Sequence, residues 1–111
     1  MTKIKRGEIY FVDLNPTLGS EIDKTRPCLI ISNDLNNEFS STVSIIPITS
    51  KINKVYPFEV LIKNALKKES KIKADQIRTI DKRRLKNKIA ELSQEEIKEV
   101  EKALLIHLGI N

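Results

Sequence analysis

The 111-residue chain is expected to fold as a mainly β domain with α (α+β): a small barrel-like sheet of five to seven short strands, with one α-helix appended at the C-terminal end. Three observations predict this. The first eighty residues break into short β-branched or aromatic runs separated by Pro, Asn, Ser and Gly. None of those runs is long enough for an amphipathic helix. After Ser93 the apolar spacing changes from the strand period to the helix period.

Each element follows from local chemistry. Glu8–Leu14 (EIYFVDL) is rich in strand formers and ends at the Asn15-Pro16 turn signal. Residues 16–25 form a polar loop, long for a hairpin, and such loops often carry function. Pro27–Ser32 holds the unbroken apolar run Cys28-Leu29-Ile30-Ile31, which reads as a buried strand with Pro27 at its first position. Asn33–Ser41 reads as a polar turn region. Thr42–Ser50 is a strand whose Pro47 implies an edge, bulge or bend. Pro57–Lys63 alternates Phe58, Val60 and Ile62 against Glu59, Leu61 and Lys63, a half-buried strand. Lys71–Ile80 reads as one further strand with a bend near Asp75-Gln76, and Asp81–Lys88 as a short helical turn. Ser93 with Glu96 fits a capping box, Ile97, Val100, Leu104 and Leu108 share one helical face, and Gly109 supplies the stop. Leu105 and Ile106 fall off that face, so a second contact such as a subunit interface is expected.

Composition narrows the function. Residues 1–111 are read as a single domain of ordinary soluble composition, 40% hydrophobic and 32% charged, with no run apolar enough to span a membrane. The start has no apolar segment before its first strand, so no secretory signal is expected; with one cysteine, a cytoplasmic location follows. The net charge of +5 is unevenly spread. Residues 63–88 carry eleven basic and three acidic side chains, a net of +8, while residues 1–62 balance. Two readings fit that segment: a footprint for a polyanion such as nucleic acid, or a solvated lysine-rich surface.

Chemistry is restricted further by what the chain lacks. One His and one Cys cannot make a zinc site of the usual ligand count. Cys28 lies in the apolar run and reads as an inert core thiol; His107 sits on the flank of the terminal helix. Glycines at 7, 19 and 109 form no phosphate loop. An enzyme built from this chain must use arginine, hydroxyls, carboxylates and backbone donors. Arg26, before one apolar strand, and Thr49 with Ser50, closing another, are the candidates. Arginine's planar fork can hold two phosphate oxygens while a hydroxyl donates to a third, which suits the charge of a pentacoordinate phosphorane. The other reading pairs Arg26 with Asp23 or Glu21 and leaves Thr49 as a strand former.

The segments RGEIYFVDLNPTLGSE (6–21), TRPCLIISND (25–34), IIPITS (45–50) and DQIRTIDKRRL (75–85), with the helix ending HLGIN, resemble the MazF/PemK family of toxin endoribonucleases. The likeness covers nearly the whole chain in order. It implies an SH3-like barrel of the MazF/CcdB-like plasmid-maintenance toxin fold, a homodimer with RNA bound across its interface, and no metal or other cofactor. It implies sequence-specific cleavage of single-stranded mRNA, in which the 2′-OH attacks the adjacent phosphate to leave 2′,3′-cyclic phosphate and 5′-OH ends. Arg26 and Thr49 match the family's catalytic positions. Ser20, Glu21 and Ser50 match supporting positions around a mobile loop. Gln76 and Arg78, with Lys71, Lys73, Arg83 and Arg84 of the basic segment, are expected to meet RNA. A cognate MazE-like antitoxin, its acidic and apolar tail masking the cleft, is the implied partner, together with operator DNA bound jointly with it. A gyrase-poisoning toxin of the same fold, which binds a protein and cuts nothing, is the rival reading, and a binding module without activity is a third.

Overall fold

The computed structural model describes residues 3–111. Seven antiparallel strands run β1 (Glu8–Asp13), β2 (Thr25–Ile30), β3 (Thr42–Thr49), β4 (Glu59–Ile62), β5 (Ser70–Lys73), β6 (Arg78–Asp81) and β7 (Leu85–Glu91). Two helices join them, α1 (Asp34–Phe39) and α2 (Gln94–Leu108). The sheet order is β4-β5-β3-β2-β1-β7, with β6 also pairing β3. The sheet is strongly barrel-like but open, ending at β4 and β7.

Both faces of the central strands are buried, which is why their sequences read as continuous apolar runs. One core gathers Ile9, Leu29, Ile46, Ile48, Ile62 and Ile72 beneath Ile97, Val100 and Ala103 of α2. The other gathers Tyr10, Val12, Leu14, Cys28, Ile30, Val43 and Ile45. Successive residues of β2 and β3 alternate between the two. Gly7 lets α2 come close: its φ is +94°, and a Cβ there would stand 2.7 Å from Ile97 Cδ1. Arg6 fixes the helix further along, donating from Nε to the Ile31 carbonyl at 2.9 Å and pairing with Glu101 at 3.0 Å.

The terminal helix has the expected ends. Ser93 Oγ accepts from the Glu96 amide at 3.1 Å, Glu96 Oε1 accepts from the Ser93 amide at 2.9 Å, and Gly109 is left-handed at φ +70°. Its buried residues are Ile97, Val100 and Ala103. Leu108, expected on that face, is exposed with Leu105, Ile106 and Ile110, because the helix runs past the sheet that covers its first three turns.

Four local expectations need correction. β2 begins at Thr25, so Arg26 and Pro27 lie inside the strand rather than before it and at its start. Residues 34–39 form a helix where a turn region was expected; Asn33 caps it, accepting from the Asn36 amide at 2.8 Å, and it carries no apolar stripe that would announce it. Residues 71–80 are two strands, separated by a 3-10 turn at Ala74–Gln76. Beyond Asp81 only Lys82–Arg84 turn; Leu85–Glu91 pair with β1 as β7, through two register shifts. Pro47 sits at the bend its sequence implied, where β3 leaves β6 and takes β5 as neighbour.

Candidate active site

The site begins where β2 and β3 part. Their register matches Cys28 with Pro47, Leu29 with Ile46 and Ile30 with Ile45. Pro27 and Pro47 bring no N–H to the ladder at this end, and pairing stops. Carried two residues further, the same register sets Arg26 across from Thr49. Each lies at the polar end region of a strand whose other half is buried, Cys28–Ile30 in β2 and Ile45–Ile48 in β3, so both are held by the sheet rather than by a loop.

Arg26 and Thr49 form a ridge between two adjoining cavities, and they are the two residues that line both. One cavity, of about 600 Å³, has Phe11, Pro27, Ile48, Leu66 and Ile89 as apolar walls, with Ser50, Lys67 and Lys68 at its polar side. The other, of about 330 Å³, is lined by Ser20, Glu21, Asp23, Lys51, Lys71 and Lys73. An apolar hollow suits a nucleobase and a charged one suits a phosphodiester backbone.

Arg26 keeps most of its guanidinium free. Nε donates to the Asp23 backbone carbonyl at 3.2 Å. Among the described residues no carboxylate pairs with it, so the reading in which Asp23 or Glu21 neutralises Arg26 is not what the structure shows. Thr49 Oγ1 accepts from the Lys51 amide at 3.2 Å, which leaves its own hydrogen available to donate. Glu21 lies in the charged cavity, one carboxylate oxygen accepting from the Leu18 amide.

β3 and β5 supply Thr49, Lys71 and Lys73 to that cavity, and β4 pairs with β5 beside it. Thr49 stands opposite Lys71, and Lys73 opposite Glu59. The alternation of β4 put Glu59 on the solvent side; instead its side chain is 0% exposed. It pairs with Lys73 at 2.8 Å and Lys71 at 3.0 Å, and accepts from the Tyr56 amide at 3.0 Å. Burial pushes the Glu59 carboxyl up, but the hydrogen bonds from Lys73, Tyr56 and Lys71 outweigh it and leave the group below its ordinary range. No sequence pattern singled out Glu59, because its burial depends on two lysines from another strand.

The remaining expected residues divide. Gln76 and Arg78 hold the 15–24 loop and its entrance: Gln76 Oε1 accepts from the Ile22 amide at 3.4 Å, and Arg78 donates to the carbonyl of Leu14, just before the loop, at 3.2 Å. Arg83 and Arg84 lie apart, lining a separate cavity with Asp13, Asn15, Asp81 and Lys86. Arg83 forms a two-pronged pair with Asp81 at 3.0 and 3.2 Å, which holds that carboxyl below its usual range. Arg84 donates to the Asp13 and Asn15 carbonyls. Cys28 is buried, and burial pushes its thiol up to about 12, far from a reactive thiolate. His107 is exposed on α2. Among the described residues no three His, Cys, Asp or Glu side chains gather as a metal-binding group.

Known proteins share both the sequence pattern and the architecture. Residues 5–108 match the family model described as PemK-like, MazF-like toxin of type II toxin-antitoxin system. The structure is similar to MazF from Deinococcus radiodurans, with 28% identity, a TM-score of 0.89, and coverage of 99% of this chain and 100% of that one. It is also similar to a MazE-MazF structure from the same organism, with 26% identity, a TM-score of 0.80 and full coverage of both chains. An endoribonuclease from a mycobacterial species shares the fold at 24% identity and a TM-score of 0.82, over 99% of this chain and 95% of that one. With its sequence matched from Lys5 to Leu108 and its strands in the same arrangement, the chain belongs to the PemK-like, MazF-like toxins of type II toxin–antitoxin systems.

Proposed function

We propose that the chain is one toxin domain, residues 1–111, that acts as a sequence-specific, metal-independent endoribonuclease on single-stranded mRNA. The observation that carries this reading is the Arg26–Thr49 ridge, where an unpaired guanidinium and a free hydroxyl hydrogen stand between an apolar hollow and a charged one. Similarity to proteins described as endoribonucleases and to MazE-MazF complexes supports it.

In this mechanism the scissile phosphate sits on the ridge. The substrate 2′-oxygen attacks phosphorus, the bond to the 5′-oxygen breaks, and the products carry a 2′,3′-cyclic phosphate and a 5′-OH. Charge accumulates on the non-bridging oxygens in the transition state, and stabilising it there is worth more than binding the ground state equally well. Arg26 meets one non-bridging oxygen and the departing 5′-oxygen with its fork, and Thr49 donates to the other non-bridging oxygen. A guanidinium stays protonated under physiological conditions, so it is no base. Glu21, whose second carboxylate oxygen remains open in the charged cavity, takes the 2′-OH proton. Arg26 hydrogen-bonds the departing 5′-oxygen, which receives a proton from solvent.

Ser20 and Ser50 border the two cavities as hydroxyl donors. Gln76 and Arg78 act by fixing the loop that carries Ser20 and Glu21. The exposed Leu105, Ile106, Leu108 and Ile110 support assembly as a homodimer, and a cognate MazE-like antitoxin with an acidic and apolar tail fits a cleft that is basic on one side of the ridge and apolar on the other. A cytoplasmic setting accords with that substrate; no helix is long and apolar enough to cross a membrane. Purified protein in EDTA, given a long natural RNA, is expected to cut at one short recurring sequence with cyclic-phosphate ends. Intact RNA under those conditions would overturn the proposal, and binding to gyrase without cleavage would favour the rival toxin type.

A further inference from the structure

We infer that Glu59 is a positioning residue for RNA: it holds Lys71 and Lys73 as a second phosphate-binding site, beside the scissile phosphate, in the charged cavity. This rests on the nuclease reading above and adds a residue that no motif pointed to.

A carboxylate without solvent exposure is retained only when paired and hydrogen-bonded, and two lysines drawn to it lose most of their freedom. Glu59 satisfies both conditions. Its Oε1 accepts from Lys71 Nζ and the Tyr56 amide, and its Oε2 from Lys73 Nζ. Lys71 Nζ also donates to the Lys54 carbonyl at 2.6 Å. One carboxylate therefore ties the 54–56 loop, β4 and β5 into a single wall.

The triad is not neutral. Two ammonium groups against one carboxylate leave one positive charge, and both lysines line the cavity that Arg26 and Thr49 border. Lys71 stands opposite Thr49 in the β3–β5 register, so the extra charge is fixed relative to the ridge by the sheet itself. Lys73 is the more exposed of the two and has donors left beyond its bond to Glu59. A strand lying on the ridge carries further phosphates on either side, and a fixed cation next to the scissile one sets the register of the RNA. Isolated surface lysines attract a polyanion without placing it, because their long stems remain free. Nothing of this kind surrounds Arg83, whose charge is spent on Asp81.

Two variants test this with an RNA oligonucleotide built around a mapped cleavage site. Lys73→Met leaves the buried Lys71–Glu59 pair intact and removes the net charge. It is expected to raise KM about tenfold, the equivalent of one charge-assisted hydrogen bond. Its kcat should change less than twofold, and the slope of log affinity against log salt should fall by about 0.7. Glu59→Gln gives opposite predictions for the two accounts. If Glu59 were merely a nearby negative charge, its loss would tighten RNA binding; as a positioning residue, its loss weakens binding, and Glu59→Asp restores part of it. A Lys73→Met protein with wild-type KM and salt slope would overturn the inference, as would a folded Glu59→Gln protein that binds RNA more tightly. If Glu59→Gln does not fold, Lys73→Met decides alone. Failure of the wild-type protein to cleave the RNA is the separate result that would remove the nuclease reading.

Discussion

Arg26 shows how one residue's role depends on what its neighbours leave undone. Asp23 offers it only a backbone carbonyl, so the guanidinium keeps its fork free at the edge of a cavity. Lysine at that position would retain the charge and lose the two-pronged geometry. Arg26→Lys is expected to slow single-turnover RNA cleavage about a hundredfold with little change in RNA affinity, measured on a labelled oligonucleotide. Gly7 is a residue-scale feature of stability. Alanine there meets both a positive φ and Ile97 Cδ1 at 2.7 Å, so Gly7→Ala should lower unfolding free energy by about 2 kcal/mol in a urea titration. The burial of Cys28 was accessible from the apolar run that carries it, whereas Arg26 and Thr49 became the favoured pair only through the family resemblance, their strand patterns leaving a salt-bridged Arg26 open. Glu59 was not accessible: in PFEVLIK it occupies an outward position, and its burial comes from lysines a dozen residues away.

At the scale of elements, the strands with strong apolar runs and the capped helix α2 were legible for the same reason, a local pattern matching a local environment. β7 was not, since Lys86, Asn87 and Lys88 are exposed and the strand is specified by pairing with β1 through two register shifts. α1 was hidden because six residues with Leu35 and Phe39 turned to solvent show no helical stripe. The β4–β5 unit carries a pH signature. Glu59 titrates below its ordinary range in the folded protein, while in the unfolded chain a glutamate titrates near about 4.3. Its stabilising contribution is therefore complete above that value and is lost as pH falls through the lower folded one. Thermal melts from pH 7 to pH 2 should show this loss in the wild type, and a shallower dependence in Glu59→Gln; identical slopes would mean the triad is not coupled to folding.

At the scale of the whole molecule, two cores lie on either face of one sheet, and the ridge stands where β2 and β3 part between two cavities. The exposed apolar end of α2 belongs to the same scale, because among the described residues nothing covers it. Replacing Leu105 and Ile106 with glutamate is expected to shift the protein toward monomer in sedimentation, without altering the melting of the isolated fold by more than a few degrees. The chain's overall charge pattern, balanced in its first half and basic at 63–88, fitted a polyanion footprint and a solvated lysine-rich surface equally well. Folding divides that segment: Lys71 and Lys73 go to the ridge, Arg83 and Arg84 to a separate surface.

The central claim is that Arg26 and Thr49 act on one phosphate, and a double-mutant cycle tests it most directly. Single-turnover cleavage would be measured for wild type, Arg26→Lys, Thr49→Val and the double variant on the same RNA. Groups that stabilise one transition state together should be strongly non-additive, so the double variant should be little slower than the worse single one. Losses that simply multiply, or a Thr49→Val protein at wild-type rate, would contradict a shared site.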